Sequence, residues 1–91
     1  MWKITYTKKA AKQISKLPCL AREAMSALAQ DIKEHGPVRG NWPNYGKIGA
    51  GQHHCHLKKG HPTYVAVWRE VAGNIQLVEI TYAGTHENAP Y

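Results

Sequence analysis

Residues 53–61, His-His-Cys-His-Leu-Lys-Lys-Gly-His, hold the densest proton-handling and cationic chemistry of the chain. Imidazole gives or takes a proton near neutral pH, and ammonium groups stabilise charge that builds on a phosphate. Cleaving RNA without a metal needs those abilities together: a base for the ribose 2′-OH, an acid for the 5′-oxygen and positive charge on the phosphate. Read as a strand, residues 53–59 send Cys55 and Leu57 to one face and His54, His56 and Lys58 to the other. His86 and Tyr91 follow on the tail. The candidate catalytic set is therefore His54, His56, Lys58, His86 and Tyr91. Lys59, Arg69, Arg39, Lys47 and His61 are the candidates for holding a phosphodiester backbone.

Other chemistries fit this set poorly. Glu87 is the only acidic residue near the tail, so a two-carboxylate glycosidase site or an acidic magnesium site has little support. His54 and His56, two positions apart on a strand, could ligate a metal with His61 or Cys55 as a third ligand. Cys55 should face the other way, however, and Lys58 and Lys59 would repel a cation, so neither a metal nor a cofactor is expected. Cys19 and Cys55 show no CxxC spacing and read as buried thiols, not a disulfide.

The elements that must position these residues follow from pattern. Trp2, Ile4 and Tyr6 alternate with polar residues as in a half-buried strand. Thr7 suits a helix N-cap, and Ala10, Ala11, Ile14 and Leu17 recur at helical spacing until Pro18 interrupts. Ala21, Ala24, Met25, Leu28 and Ile32 then form a second helical stripe, stopped at Gly36 and Pro37. The expected helices are 8–17 and 19–35. Residues 37–52, rich in Gly, Pro and Asn, read as a long loop in which Trp42 and Tyr45 cover an end of the core. Strands are expected over 53–59, 63–71 and 75–83, with Val65, Val67, Ile75, Leu77, Val78 and Ile80 the central apolar residues. The expected architecture is one α+β domain over 1–91: an N-terminal strand and a helical hairpin packed on a mostly antiparallel sheet, in the order β-α-α-β-β-β.

Composition agrees with a folded domain and points to its partners. The 91 residues are 43% hydrophobic and 20% charged, which suits a packed core and excludes a disordered tail. A formal net charge of +6 favours polyanionic partners, nucleic acid or an acidic protein. No apolar run has the length of a signal peptide or a membrane span, so a cytoplasmic protein with no membrane partner is expected.

This order of elements, together with His56-Leu57-Lys58-Lys59-Gly60 ahead of an apolar strand and the ending Gly84-Thr85-His86-Glu87 with a later Tyr91, resembles the RelE/ParE superfamily of bacterial toxins. Within it the RelE and HigB branches are the most similar, and the resemblance spans essentially the whole chain. It implies an endoribonuclease that cuts messenger RNA in the ribosomal A site and is held inactive by a cognate antitoxin. RelE-like toxins carry basic residues on the strand that matches His54 to Lys58, and a basic residue and a tyrosine after the tail glycine, which His86 and Tyr91 match. Where an arginine is expected at the start of the next strand this chain has Thr63 and Tyr64, leaving Lys59 or Arg69 to substitute. Two other functions remain open: a ParE-like inhibitor of DNA gyrase without a nuclease site, and a basic nucleic-acid-binding module. Convergence of His54, His56, Lys58, His86 and Tyr91 on one concave patch would favour the nuclease.

Overall fold

A computed structural model describes residues 1–60 and 62–91, so His61, a candidate phosphate contact, lies outside the described residues. The elements run β1 (Lys3–Tyr6), α1 (Lys8–Ser15), α2 (Cys19–His35), β2 (Gly46–Gly49), β3 (Gln52–Lys58), β4 (Tyr64–Glu70), β5 (Leu77–Thr85) and a short 3-10 helix, His86–Asn88. The five strands form one sheet in the order β1-β5-β4-β3-β2, antiparallel except for the parallel pair β1 and β5. The fold is α+β, as the paired helical and strand periodicities predict.

Local chemistry sets the helix ends. The Thr7 hydroxyl accepts a hydrogen bond from the Ala10 N–H at 3.0 Å and so caps α1. Pro18 is the N-cap of α2 with its φ already at −57°, and Gly36 closes that helix at φ 94°, a conformation that suits glycine. A side chain at Gly36 would also meet the Trp2 indole, because a Cβ there would lie 3.0 Å from its Nε1. Ala21, Met25, Leu28 and Ile32 repeat at helical spacing and are buried, as are Ala10 and Leu17 before them. They pack on Cys55, Ala66, Trp68, Val78, Ile80 and Ala83 of the sheet. Each large apolar side chain so buried contributes about 1.5–3 kcal/mol. Both helices therefore cover one face of the sheet and leave the other for the tail.

Two bulges set which side chains reach that open face. In β5 an extra residue, Thr81, shifts the register between Val67 and Trp68, so Ile80 stays in the helix-side core while Tyr82 turns to the opposite face. There Tyr82 joins Val65 and Val67 in a small second cluster that Ala89 of the tail covers. In β3 an extra residue, Leu57, shifts the register between His56 and Lys58, with a consequence for the site described below.

Several expectations are corrected. The stretch 37–52 is not all loop, since Gly46–Gly49 pairs with β3 as a fifth strand. In Gly-Lys-Ile-Gly only Ile48 favours a strand, and pairing at the sheet edge supplies the rest of the order. Ile75 is 94% exposed in the turn before β5, not a central strand residue, because the turn extends through Gln76 at φ 55°. Cys19 is exposed at the start of α2, while Cys55 is buried, and both are free thiols. Among the described residues no helix is long and apolar enough to cross a membrane.

The long connection is anchored through Asp31 on α2. Its carboxylate accepts hydrogen bonds from the Trp42 indole N–H at 2.9 Å, Asn41 at 3.1 Å and Arg39 at 3.1 Å, with His35 at 3.0 Å. The Trp42 bond first, with Asn41, Arg39 and His35 behind it, holds the Asp31 carboxyl well below the usual carboxylate range. A lowered folded value means stability that is present above the ordinary value and lost as pH falls through the folded one. Asp31→Ala should cost about 1–3 kcal/mol at neutral pH in denaturant unfolding, and its deficit should shrink below about pH 4.

Candidate functional site

The buried half of β3 fixes the direction of its other half. His53 and Cys55 are fully buried on the helix side. The His53 ring lies parallel to the Trp68 indole at 5.8 Å and 11°, and stacks on Tyr45 at 5.8 Å. Its Nδ1 lies 2.6 Å from the Tyr45 hydroxyl and its Nε2 lies 2.9 Å from the Glu70 carboxylate. A carboxylate only accepts, so Nε2–H donates to Glu70, and in the neutral ring Nδ1 accepts from Tyr45. With both nitrogens engaged beneath the sheet, His53 holds β3 so that His54 and His56 face outward.

On the open face His54, His56, His86 and Tyr91 come together. The Tyr91 ring stacks on His54 at 4.4 Å, His86 stands edge-on to His56 at 5.6 Å, and Tyr91 stands edge-on to His86 at 5.9 Å. The tail reaches this position because the His86 N–H donates to the Thr63 carbonyl at 2.8 Å and Ala89 packs on Val65, Val67 and Tyr82. The Tyr82 hydroxyl donates to the Thr85 carbonyl at 2.7 Å and fixes the exit from β5. On the other flank Gly46 stands opposite His54, and a Cβ there would lie 3.0 Å from His54 Nε2. Glycine at 46 thus gives the His54 imidazole its room.

The electrostatics of the cluster favour neutral imidazoles. Burial lowers the pKa of His54, aided by the positive potential of His56 and His86. Burial likewise lowers that of His56, aided by His86 and Lys59. Burial also raises the Tyr91 phenol, which keeps it protonated. The Nδ1 atoms of His54 and His56 are both buried without a hydrogen-bond partner among the described residues. Such atoms cost about 1–3 kcal/mol each, an expense that folding alone does not explain. Cys55 is inert by contrast, its thiol pushed up to about 12 by burial. Among the described residues no group of three or more His, Cys, Asp and Glu is placed to hold a metal ion.

The cationic candidates are distributed differently from expectation. Lys58 does not continue the alternation of His54 and His56, because the bulge places it opposite Tyr64, which packs on the helix-side core. Lys59 is the lysine whose charge reaches His56. Arg69 stands opposite Gln52, at the far end of β3 from His56, and its guanidinium is engaged by Glu79 at 2.8 Å. Both its position and its pairing keep it from the start of β4, where the resemblance leads one to expect a cation. Arg39 is drawn to Asp31 and braces the connection to α2. Lys47 stands opposite His53, at a register position of the helix-side face. Sequence reading missed His53, Tyr45 and Glu70 as supports of the site. The local signal was the polar His53 beside Cys55 on the face assigned to the core.

No protein-family model matches the sequence, and no curated protein matches it. Solved structures do match. The isolated RelE toxin of E. coli superposes with a TM-score of 0.69 at 17% identity, over 99% of this chain and 89% of that one. The matching chain of the intact E. coli RelBE toxin-antitoxin complex gives 0.63 at 15% identity, over 92% and 95%. That of the archaeal RelE-RelB complex from Pyrococcus horikoshii gives 0.65 at 15% identity, over 97% and 98%. Matches of this depth along nearly the full length of each chain, with the same succession of strand, two helices and sheet, establish that this protein has the RelE fold.

Proposed function

We propose that the protein is the toxin of a toxin-antitoxin pair, an endoribonuclease that cuts messenger RNA on the ribosome until a cognate antitoxin covers its basic surface. The observation that carries this reading is the convergence of His54, His56, His86 and Tyr91 on one open face of a RelE fold. A module that only binds gyrase or nucleic acid has no need of converging proton-transfer groups. The RelE chains of two of the matching structures are held in complexes with RelB partners, which supports a protein partner here. The charge of +6 suits a flexible acidic one.

The chemistry runs as a transesterification. His54 or His56, kept neutral by its surroundings, takes the 2′-OH proton while the 2′-oxygen attacks phosphorus. Lys59 stabilises the charge that builds on the phosphorane, with Lys58 at the rim. His86 gives its proton to the 5′-oxygen as the P–O5′ bond breaks. The products are a 2′,3′-cyclic phosphate and a 5′-hydroxyl. Tyr91 stacks on a base beside the scissile bond.

Single-turnover cleavage of a messenger on programmed ribosomes tests the assignment. His86→Gln should lose at least about 100-fold in rate with antitoxin binding nearly intact. Wild-type rates in His54, His56 and His86 variants alike would overturn the catalytic roles, and gyrase inhibition without any cutting would replace the reading altogether. Lys59→Ala should cost more than Lys58→Ala, since only Lys59 acts on His56.

The pH profile separates the two candidate bases. Both imidazoles are held below the ordinary value of about 6.5, so the acid limb of the rate profile, where the base takes up a proton, should lie below that pH. Lys59→Ala removes a charge that lowers the His56 value and so should move this acid limb upward if His56 is the base. The limb should not move if His54 is.

Gly46→Ala addresses geometry apart from chemistry. The added methyl should displace the His54 ring from Tyr91, seen as loss of the ring-current shift on the His54 protons in NMR spectra. A spectrum identical to wild type around His54 would show that the close approach does not constrain the ring.

A further inference from the structure

A cavity of about 320 Å³ opens beside the His56 and His86 pair, lined by His56, Gly60, Pro62, Thr63, His86 and Glu87. That volume lies in the range of small-ligand sites and accommodates one nucleobase. Of its polar side chains Thr63 is bonded among the described residues, while the Nδ1 of His56 has no partner. The Thr63 hydroxyl donates to the Gly60 carbonyl at 2.9 Å, and the Thr63 carbonyl accepts from the His86 N–H. Glu87, like the Nδ1 of His56, has no hydrogen bond or ion pair among the described residues. Asp31, Glu34, Glu70 and Glu79 are each engaged by a partner, and Glu23, which has none among the described residues, lies on α2 outside the cavity lining. Among the described residues Glu87 is therefore an unpaired carboxylate in the wall of a cavity on a basic protein.

On the proposed mechanism the scissile phosphate lies between His56 and His86 at the rim of the cavity, and the Glu87 carboxylate disfavours a second negative group in the space beyond. That space suits a neutral ligand with hydrogen-bond donors, and the two carboxylate oxygens accept from two donors side by side. Among the four RNA bases only guanine presents two adjacent donors on its Watson–Crick edge, N1–H and the 2-amino group. Pro62 and the His86 ring offer flat surfaces for such a base. We infer that this cavity is a nucleobase site in which Glu87 selects guanine at the nucleotide next to the scissile phosphate. The link to cutting rests on the proposed nuclease function, whereas base selection itself does not.

Two measurements separate these claims. NMR titration with the 3′-monophosphates of guanosine, inosine and adenosine reads the cavity directly. The wild type should bind guanosine 3′-monophosphate about 10-fold to 100-fold more tightly than the adenosine compound, with inosine, which lacks the 2-amino donor, between them. In Glu87→Gln and Glu87→Ala, with backbone spectra otherwise unchanged, the three affinities should agree within about threefold. Single-turnover cleavage of messengers differing only at the base beside the cut should show the same preference and the same loss. Selective binding without cutting would keep the base site and end the nuclease reading. Cutting without selective binding would do the reverse. Equal wild-type affinities, a guanosine preference that survives in both variants, or no shift of the cavity residues at millimolar nucleotide would each overturn the inference.

Discussion

The burial of His53 is the constraint on which the site depends. A strand has a side-chain period of two, so a single position locked beneath the sheet decides the face of every neighbour. His53 is locked by three means at once: hydrogen bonds at both ring nitrogens, stacking on Trp68 and Tyr45, and complete exclusion from water. Its partners come from the two sides of β3, Tyr45 just before β2 and Glu70 at the end of β4. A slip of β3 by one residue would bury His54 without a partner and expose Cys55. Losing the paired bonds of a buried polar ring costs about 1–3 kcal/mol, enough to hold the register against such a slip.

The sequence made the period of each element legible but not its interruptions. The alternation of Trp2 and Ile4 with Lys3 and Thr5, the helical stripe of Ala21, Met25, Leu28 and Ile32, and the outward direction of His54 and His56 follow from spacing and recur in the structure, whereas Tyr6, expected on the apolar face, is 45% exposed. Bulges are different in kind. Leu57 and Thr81 look like ordinary strand residues, and only the cross-strand register shows that each is an extra one. Lys58 was assigned to the wrong face for that reason. Cations were misjudged for another: Arg39 and Arg69 each meet a carboxylate distant in sequence, and such pairing has no local signature. The edge strand Gly46–Gly49 was equally hidden, since its partner supplies the order that its own residues lack.

Within the candidate site, burial and like charge act in the same direction on His54 and His56. Desolvation disfavours the imidazolium, and so do the neighbouring imidazoles and, for His56, Lys59. A lysine in the same place would already hold its proton at neutral pH, and so could accept none, unless its value fell by several units from about 10.4, whereas an imidazole needs no shift to be neutral. Histidines at these two positions thus supply proton acceptors at neutral pH without an acidic helper, which agrees with the scarcity of carboxylates on this face. Lys59, beyond the bulge, then acts in two ways: it adds to the lowering of the His56 value that burial and His86 begin, and it brings positive charge beside it.

Tyr91 and His86 belong to the tail, yet the sheet positions them. The bulge at Thr81 turns Tyr82 to the open face, where its ring makes the floor for Ala89 and its hydroxyl fixes Thr85. Gly84, next along β5, has no room for a side chain, because a Cβ there would lie 2.9 Å from the Tyr82 hydroxyl oxygen. The close contact between Gly84 and Tyr82 lets the chain leave the sheet at Thr85 and fold back, so that His86 meets His56 and Tyr91 meets His54. One inserted residue in β5 therefore carries the end of the chain to the histidines of β3. The resemblance of the ending Gly84-Thr85-His86-Glu87 to a toxin tail has this physical content: the glycine permits the turn, and the residues after it are placed by packing, not by any rigid element of their own.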